Sequence, residues 1–347
     1  MTSTTTCAPR GAIRCSASAE PYAFPGGFDV DASAAFSHVL PPLMHDPVTF
    51  AVPFFLLLLV IEWTAARRLA HEEVGAASAG TSGSERAPAG AYQRSDAWAS
   101  IWMGVVSIGT SAVLNFIALL GYAALFVYVA PWQLPADAWY TWVIAIVGVD
   151  LLYYVYHRMA HRVRLIWATH QAHHSSQYFN FATALRQKWN ISGDVFLRAL
   201  LPLVGVPPWI VFASFSINLI YQFWIHTERI GKLWAPIEFV FNTPSHHRVH
   251  HGMDPQYLDK NYGGIFIVWD RIFGSFAAET VRPHYGLTKQ VDTYNIWTLQ
   301  THEYVAIARD VRRAPRWRDK VGYMFGPPGW VPAEPRLAAE ESAALNA

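Results

Sequence analysis

Hydrophobic positions in this chain fall in long unbroken runs, separated by polar stretches rich in turn residues. The first run, Val48 to Ala65, ends at Arg67 and Arg68. It is long enough to cross a hydrocarbon core of about 30 Å, and the cations behind it suit a membrane surface. The second, Trp98 to Ala130, would be about 50 Å long as a continuous helix, so it is one long tilted span or a hairpin. The third, Ala138 to Tyr156, leads directly into a cluster of histidines. A fourth region, Val195 to Ile225, is interrupted by Pro207 and Pro208, and its first part is too short to cross alone. It reads as a proline-turned hairpin that can be re-entrant. From Gly231 onward charge and turn residues increase, and no further stretch could span.

Segmentation follows from these runs. Residues 1–46 read as a disordered tail, 47–70 as the first membrane span and 71–95, rich in Ala, Gly and Ser, as a flexible linker. Residues 96–330 read as one membrane-embedded domain and 331–347 as a C-terminal tail. The segment 67–96 carries Arg67, Arg68, Arg86 and Arg94, whereas the connector at 131–138 has no Lys or Arg. By the positive-inside rule the linker and the histidine region are cytosolic, which requires a single span within 98–130.

Composition agrees with the membrane reading: 52% of residues are hydrophobic, 15% are charged, and the mean hydropathy is +0.16. A net charge of +1 supplies no basic stripe, so no nucleic-acid partner is expected. Cys7 and Cys15 both lie in the N-terminal tail and cannot staple the folded part. Glu62 sits near the end of the first run, where its carboxylate is expected to reach the interface.

The candidate chemistry is histidine. Asp150 to His174 holds five of the chain's fifteen histidines. His157 and His161 are four apart, while His170, His173 and His174 are offset by three and four, so each set projects from one helix face. Far downstream His247, His250 and His251 repeat those offsets. Eight imidazoles exceed what one tetrahedral ion can use, and two metals are the natural reading. Imidazole suits iron, copper, nickel and zinc alike, so ligand type does not identify the metal. The plain alternative for a single such cluster is a set of titrating surface histidines. Two copies of one pattern beside an H-x-x-x-H argue against it. All of these histidines would lie at the cytosolic ends of spans, and His226, at the end of the proline-turned hairpin, would return to the same rim.

In this order the boxes resemble the fatty acid hydroxylase and sterol desaturase superfamily: H-x-x-x-H (His157, His161), H-x-x-H-H (His170, His173, His174), a single His226, and H-x-x-H-H (His247, His250, His251). The strings THQAHHSSQYFNFATALRQKW, YQFWIHTERIG and NTPSHHRVHHGMDPQYLDKNYGGIFIVWDRIFGSF are similar to the alkylglycerol monooxygenase-like branch, over roughly residues 98–330. The resemblance implies a diiron centre of two iron ions held by these nine histidines, with dioxygen and a lipid as substrates. It also implies an external electron donor, either a tetrahydropterin or an electron-donor protein. After His161 the animal members of that branch carry an acidic residue, and this chain carries Arg162.

Around the boxes, Asp150 precedes His157 by two helical turns on the same face, where its carboxylate could orient a ligand ring or another polar group. His246 has no counterpart in the first H-x-x-H-H and is placed behind the ligands. Glu228, Asn242, Asp259 and Asn261 are expected as caps, turns or outer hydrogen-bonders. Arg186 and Gln187 could meet a lipid head group, and His71, His284 and His302 match no spacing. The expected protein is therefore an all-α, multi-pass integral membrane helical bundle with a cytosolic histidine-rich dimetal cap. It would oxidise an alkyl, acyl or sterol chain by hydroxylation, desaturation or ether cleavage. A zinc-dependent membrane hydrolase is the rival enzyme, but the chain has no H-E-x-x-H. A metal transporter or buffer would place its ligands at the membrane's middle rather than on one rim.

Overall fold

The computed structural model describes residues 47–77, 87–190 and 193–332. The expected N-terminal tail, and all but the first two residues of the expected C-terminal tail, lie outside them. Among the described residues every regular element is helical, and β pairing is limited to the isolated bridges Phe241–Phe266 and Gly252–Tyr285.

Three helices are long and apolar enough to cross a membrane: α1 (Pro47–Ala77), α2 (Arg94–Tyr128) and α3 (Trp139–Arg162). The run from Trp98 to Ala130 is thus one continuous helix rather than a hairpin. The Gln93 side chain caps its start, accepting from the Asp96 amide. Inside it, Ser100, Ser107 and Thr110 return their hydroxyls to carbonyls one turn earlier, so these polar groups need no partner in lipid. Ile108, Val113, Phe116, Ile117 and Leu120 are exposed along this helix, a face that only a lipid environment suits.

After α3 a break at Val163, in extended conformation, turns the chain into α4 (Arg164–His174). The one-turn helix α5 (Phe181–Ala184) follows under an Asn180 capping box. The proline-containing region then forms the expected hairpin. Short helices α6 (Asp194–Arg198) and α7 (Leu200–Leu203) lead to a turn at 204–207, and α8 (Pro208–Trp224) runs back, with Pro208 in its first turn. The turn reaches the far end of the bundle, where Trp132 Nε1 donates to the Val204 carbonyl at 3.0 Å and the Leu134 amide to the Gly205 carbonyl at 2.8 Å. Gly205 has φ +86°, and a Cβ there would lie 2.5 Å from the Trp132 carbonyl oxygen, so only glycine fits. Tyr122, Ala145, Val149, Leu201, Val206, Ile210 and Val211 lock α2, α3 and the hairpin into one apolar core.

The opposite end is the cap that carries the histidines. It contains α9 (Ala235–Val240), α10 (Pro244–His251), α11 (Val268–Ile272), α12 (Ile296–Arg313) and α13 (Trp317–Phe325). Arg164, at the start of α4, pairs with Glu303 at 2.7 Å and Asp310 at 2.8 Å, tying α12 across the back of the histidine helices. The linker expected at 71–95 is shorter than its composition suggests, because α1 continues to Ala77 and residues 87–93 are packed onto the cap. The Gly90 amide donates to Glu228 at 2.7 Å, and Asn180 donates to the Ala91 carbonyl at 2.7 Å.

Candidate metal centre

Four separate pieces of chain deliver the histidines. His157 and His161 end α3, while His170, His173 and His174 occupy the last two turns of α4. His226 follows α8 directly, and α10 carries His247, His250 and His251. They converge as two groups, whose ring nitrogens lie within 4.8 Å of one another in each. One is His157, His161, His170, His174 and His250; the other is His173, His226, His247 and His251. The two H-x-x-H-H motifs are shared between the groups in opposite ways. The i,i+4 pair of α4 joins the first group and its intervening His173 the second; the i,i+4 pair of α10 joins the second and its His250 the first. Neighbouring faces of two short helices thereby build adjacent sites.

Hydrogen bonds set the direction of the rings. Nδ1 of His157 donates to the Tyr262 carbonyl (2.9 Å), His173 to the Arg186 carbonyl (3.2 Å), His226 to the Gln222 carbonyl (2.7 Å) and His250 to the Lys260 carbonyl (3.0 Å). A donor at Nδ1 leaves a lone pair at Nε2. Those Nε2 atoms face other ring nitrogens: His157 and His170 at 2.9 Å, His226 and His247 at 2.9 Å, with His170 and His174 at 3.1 Å beside them. Nε2 of His161, His250 and His251 is buried without a hydrogen-bond partner. Burial and neighbouring imidazoles hold His170, His174, His226, His247 and His251 well below their ordinary pKa, and burial lowers His173 to about 4 and His250 to about 3. Neutral, convergent and unpaired nitrogens are a cation's donor set. The residues fit a metal in each group, and all-imidazole donors suit a transition ion rather than magnesium or calcium.

Behind the rings, aromatic side chains exclude water. Trp167 packs on His161 and His174, and Phe179 on His226, His247 and His251. Asp150 touches none of the nine imidazoles. Its buried carboxylate accepts from the Ile265 amide (2.6 Å), the Phe266 amide (3.1 Å), Trp269 Nε1 (2.8 Å) and Asn218 (2.6 Å). Asp270 accepts likewise from the Tyr262 and Gly263 amides, both at 2.8 Å. Two carboxylates therefore pin the loop whose carbonyls hold His157 and His250. His246 also stands apart from the groups, with Nε2 3.0 Å from Glu238 and its ring on Phe276. Asn242 donates to the Gly263 carbonyl at 2.6 Å and Asn261 to the Ala277 carbonyl at 2.7 Å, both fixing the same loop. Asp259 lies 3.8 Å from His161 Nδ1 and 3.5 Å from Arg162.

Two expectations change, at Arg186 and Glu62, while Glu228 keeps to an outer hydrogen-bonding place. Arg186 is 1% exposed and ion-paired with Asp96 at 2.6 Å, so it braces α2 against the loop after α4 rather than meeting a head group. Glu228 is buried in a bidentate pair with Arg282. Glu62, expected at the interface, is 4% exposed and accepts from Tyr92 (2.5 Å), the Phe181 amide (2.7 Å) and the Thr227 hydroxyl. It ties α1 to the segments beside His174 and His226. Glu62→Ala would strand these donors at a cost of about 2–4 kcal/mol; the melting temperature should fall, and Glu62→Gln should recover part of the loss. His284 pairs with Asp254 at 2.6 Å and His302 caps its own helix turn, both away from the groups. His71 falls where side chains are not described. The backbone carbonyls of Arg186, Gln222, Lys260 and Tyr262 were not foreseen, since a carbonyl carries no side-chain signature.

Residues 142–275 match the family model for fatty acid hydroxylase. Alkylglycerol monooxygenase of Homo sapiens is 39% identical over 297 residues, 85% of this chain and 62% of its own length. The Danio rerio alkylglycerol monooxygenase is 44% identical over 207 residues, 59% of this chain and 46% of its own, and that of Xenopus tropicalis 43% over 209 residues, 60% and 47%. The chain thus spans roughly half to three-fifths of the length of these relatives. No solved structure matches the chain significantly.

Proposed function

We propose that this chain, whose residues 142–275 match the family model for fatty acid hydroxylase, is a membrane-bound, dioxygen-dependent lipid monooxygenase with a diiron centre. The observation that carries this reading is the sorting of nine histidines, seven of them buried and His170 and His173 half-buried, into two adjacent groups of five and four at one end of an apolar bundle. Iron in both groups would supply activation of dioxygen and removal of hydrogen from an unactivated carbon. The chain's own residues do the rest. Carbonyls of Lys260, Tyr262, Gln222 and Arg186 hold the rings of His250, His157, His226 and His173 with Nε2 inward, while Trp167 and Phe179 keep water from the imidazoles. The spans bring a lipid chain up to the cap from below. The relatives' name favours an alkyl ether of glycerol as substrate, with acyl and sterol chains as the alternative.

The cap faces the cytosol in this reading, from the arginines between the first two spans and their absence at 131–138. A reduced cofactor such as a tetrahydropterin, or a redox protein, completes the electron balance. A zinc hydrolase is disfavoured because the chain has no H-E-x-x-H, the motif that would supply both zinc ligands and a general base. Membranes holding the protein and a reductant should convert lipid only in air. A hydroxylase places one atom of labelled dioxygen in the product, read by lipid mass spectrometry, whereas a desaturase leaves it unlabelled and two hydrogens lighter. Turnover without air, with label arriving from water alone, would sink the oxygenase.

A further inference from the structure

The first turns of α2 run beside the entry to α12, and between them lies a cavity of about 440 Å³. Its walls are aromatic: Trp98 and Trp102, one turn apart on α2, line one side, and Tyr294 and Trp297 line the other, all four exposed. Arg94, one turn before Trp98, supplies the charge, and no acidic residue lines the cavity. Asp96 is turned inward onto Arg186 and Ser176. Among the described residues the Arg94 guanidinium and the indole N–H groups of Trp98, Trp102 and Trp297 have no partner. The walls are held together from behind. Trp189 Nε1 donates to the Met103 carbonyl at 2.9 Å and its ring meets Trp297 edge-on at 4.9 Å, while Ala99, Met103 and Leu299 share one buried cluster with Ile296.

Height along α2 says which phase the cavity meets. From Trp102 or Trp98 to Tyr128 the helix rises about 39–45 Å, close to the roughly 40–45 Å of a bilayer with its head groups. Tyr128, Trp132 and Trp139 are exposed at the far end, so two aromatic belts stand one bilayer apart. The cavity is therefore level with the head groups of the leaflet on the cap side. We propose that it binds one anionic phospholipid of that leaflet, with the phosphate on Arg94 and the glycerol among Trp98, Trp102 and Trp297. The place expected for Arg186 at a head group thus falls to Arg94. A cavity of this size takes a head group and glycerol rather than a whole lipid. The acyl chains would follow Val105 and Phe116, exposed on the same face of α2 as the two tryptophans. Indole N–H groups at this depth donate to phosphate and ester oxygens, and a lone cation without a carboxylate beside it favours a lipid of net negative charge.

The test is native mass spectrometry of the full chain released from vesicles of equal parts phosphatidylcholine and phosphatidylglycerol, beside melting curves in vesicles of each composition. Wild type should retain one phosphatidylglycerol per chain and melt higher when that lipid is present. Arg94→Glu and Trp297→Ala, both at exposed positions, should each lower the retained phosphatidylglycerol at least fivefold, the worth of one basic residue at an anionic surface. Arg312→Glu, which reverses an exposed arginine at the other end of α12, should change it less than twofold. Equal losses from Arg94→Glu and Arg312→Glu would mean that surface charge alone gathers the lipid, and would overturn the proposal. So would phosphatidylcholine retained as tightly as phosphatidylglycerol. Inorganic phosphate or glycerol phosphate raising the melting temperature as far as the lipid does would make the ligand a soluble one and overturn it too. Neither metal nor dioxygen enters these measurements, so their failure would leave the oxygenase reading untouched.

Discussion

Purified at full occupancy, the protein should hold two metal ions per chain, and alanine substitutions should remove them separately. His226→Ala cuts a group of four ligands to three, whereas His250→Ala cuts a group of five to four. The first should therefore lose its ion more completely than the second. The double variant should approach none, with turnover falling at least 100-fold in each, since outer partners of metal ligands alone are worth about 10–100-fold. Elemental analysis beside a circular-dichroism melt separates metal loss from unfolding. A well-folded wild type that saturates at one ion per chain would refute the paired site.

The second large effect is expected at a residue that touches no ligand. Asp150→Ala would leave the amides of Ile265 and Phe266, Trp269 Nε1 and the Asn218 amide group without their acceptor. The cost should be about 3–5 kcal/mol, roughly 4–7 °C in the melting temperature at this chain size. Because the loop it pins supplies carbonyls to His157 and His250, both in the five-histidine group, metal should be lost from that group first. Asp150→Asn keeps one acceptor oxygen and should fall between the two. Equal loss from both groups would mean that Asp150 serves the fold alone. Gly264 belongs to the same arrangement, since a Cβ there would lie 2.7 Å from Asp150 Oδ1 and 2.6 Å from Asn218 Nδ2.

The sequence made the spans and the histidines legible because both signals are local. An apolar run declares its length directly, and i,i+3 and i,i+4 offsets declare a helix face. Which histidine joins which group was not legible, because it depends on how α4 and α10 approach each other. The role of Glu62 was hidden for a similar reason: Phe181 and Thr227 lie 119 and 165 residues away, and a carboxylate near a span end looks interfacial until those donors are placed. The depth of the proline hairpin rests on Val204 and Gly205 meeting the connector at Trp132 and Leu134, a contact that hydropathy cannot encode. Asp150 stood out as an ionisable group within a span, yet its partners are mostly backbone amides without residue identity.

The second helix, Arg94–Tyr128, is about 52 Å long, against about 30 Å of hydrocarbon. Asp96, Ser100, Met103 and Ser107 of its first half are buried in the protein, while Ile108 through Leu120 present apolar side chains outward. One unbroken rod is therefore a beam of the histidine-bearing cap at its head and a lipid-facing post at its foot. A bilayer that thickens or thins can tilt such a post, but it cannot stretch it. The height of the histidine groups above the foot of the rod is a fixed length of the molecule, set by helix rise rather than by the membrane around it.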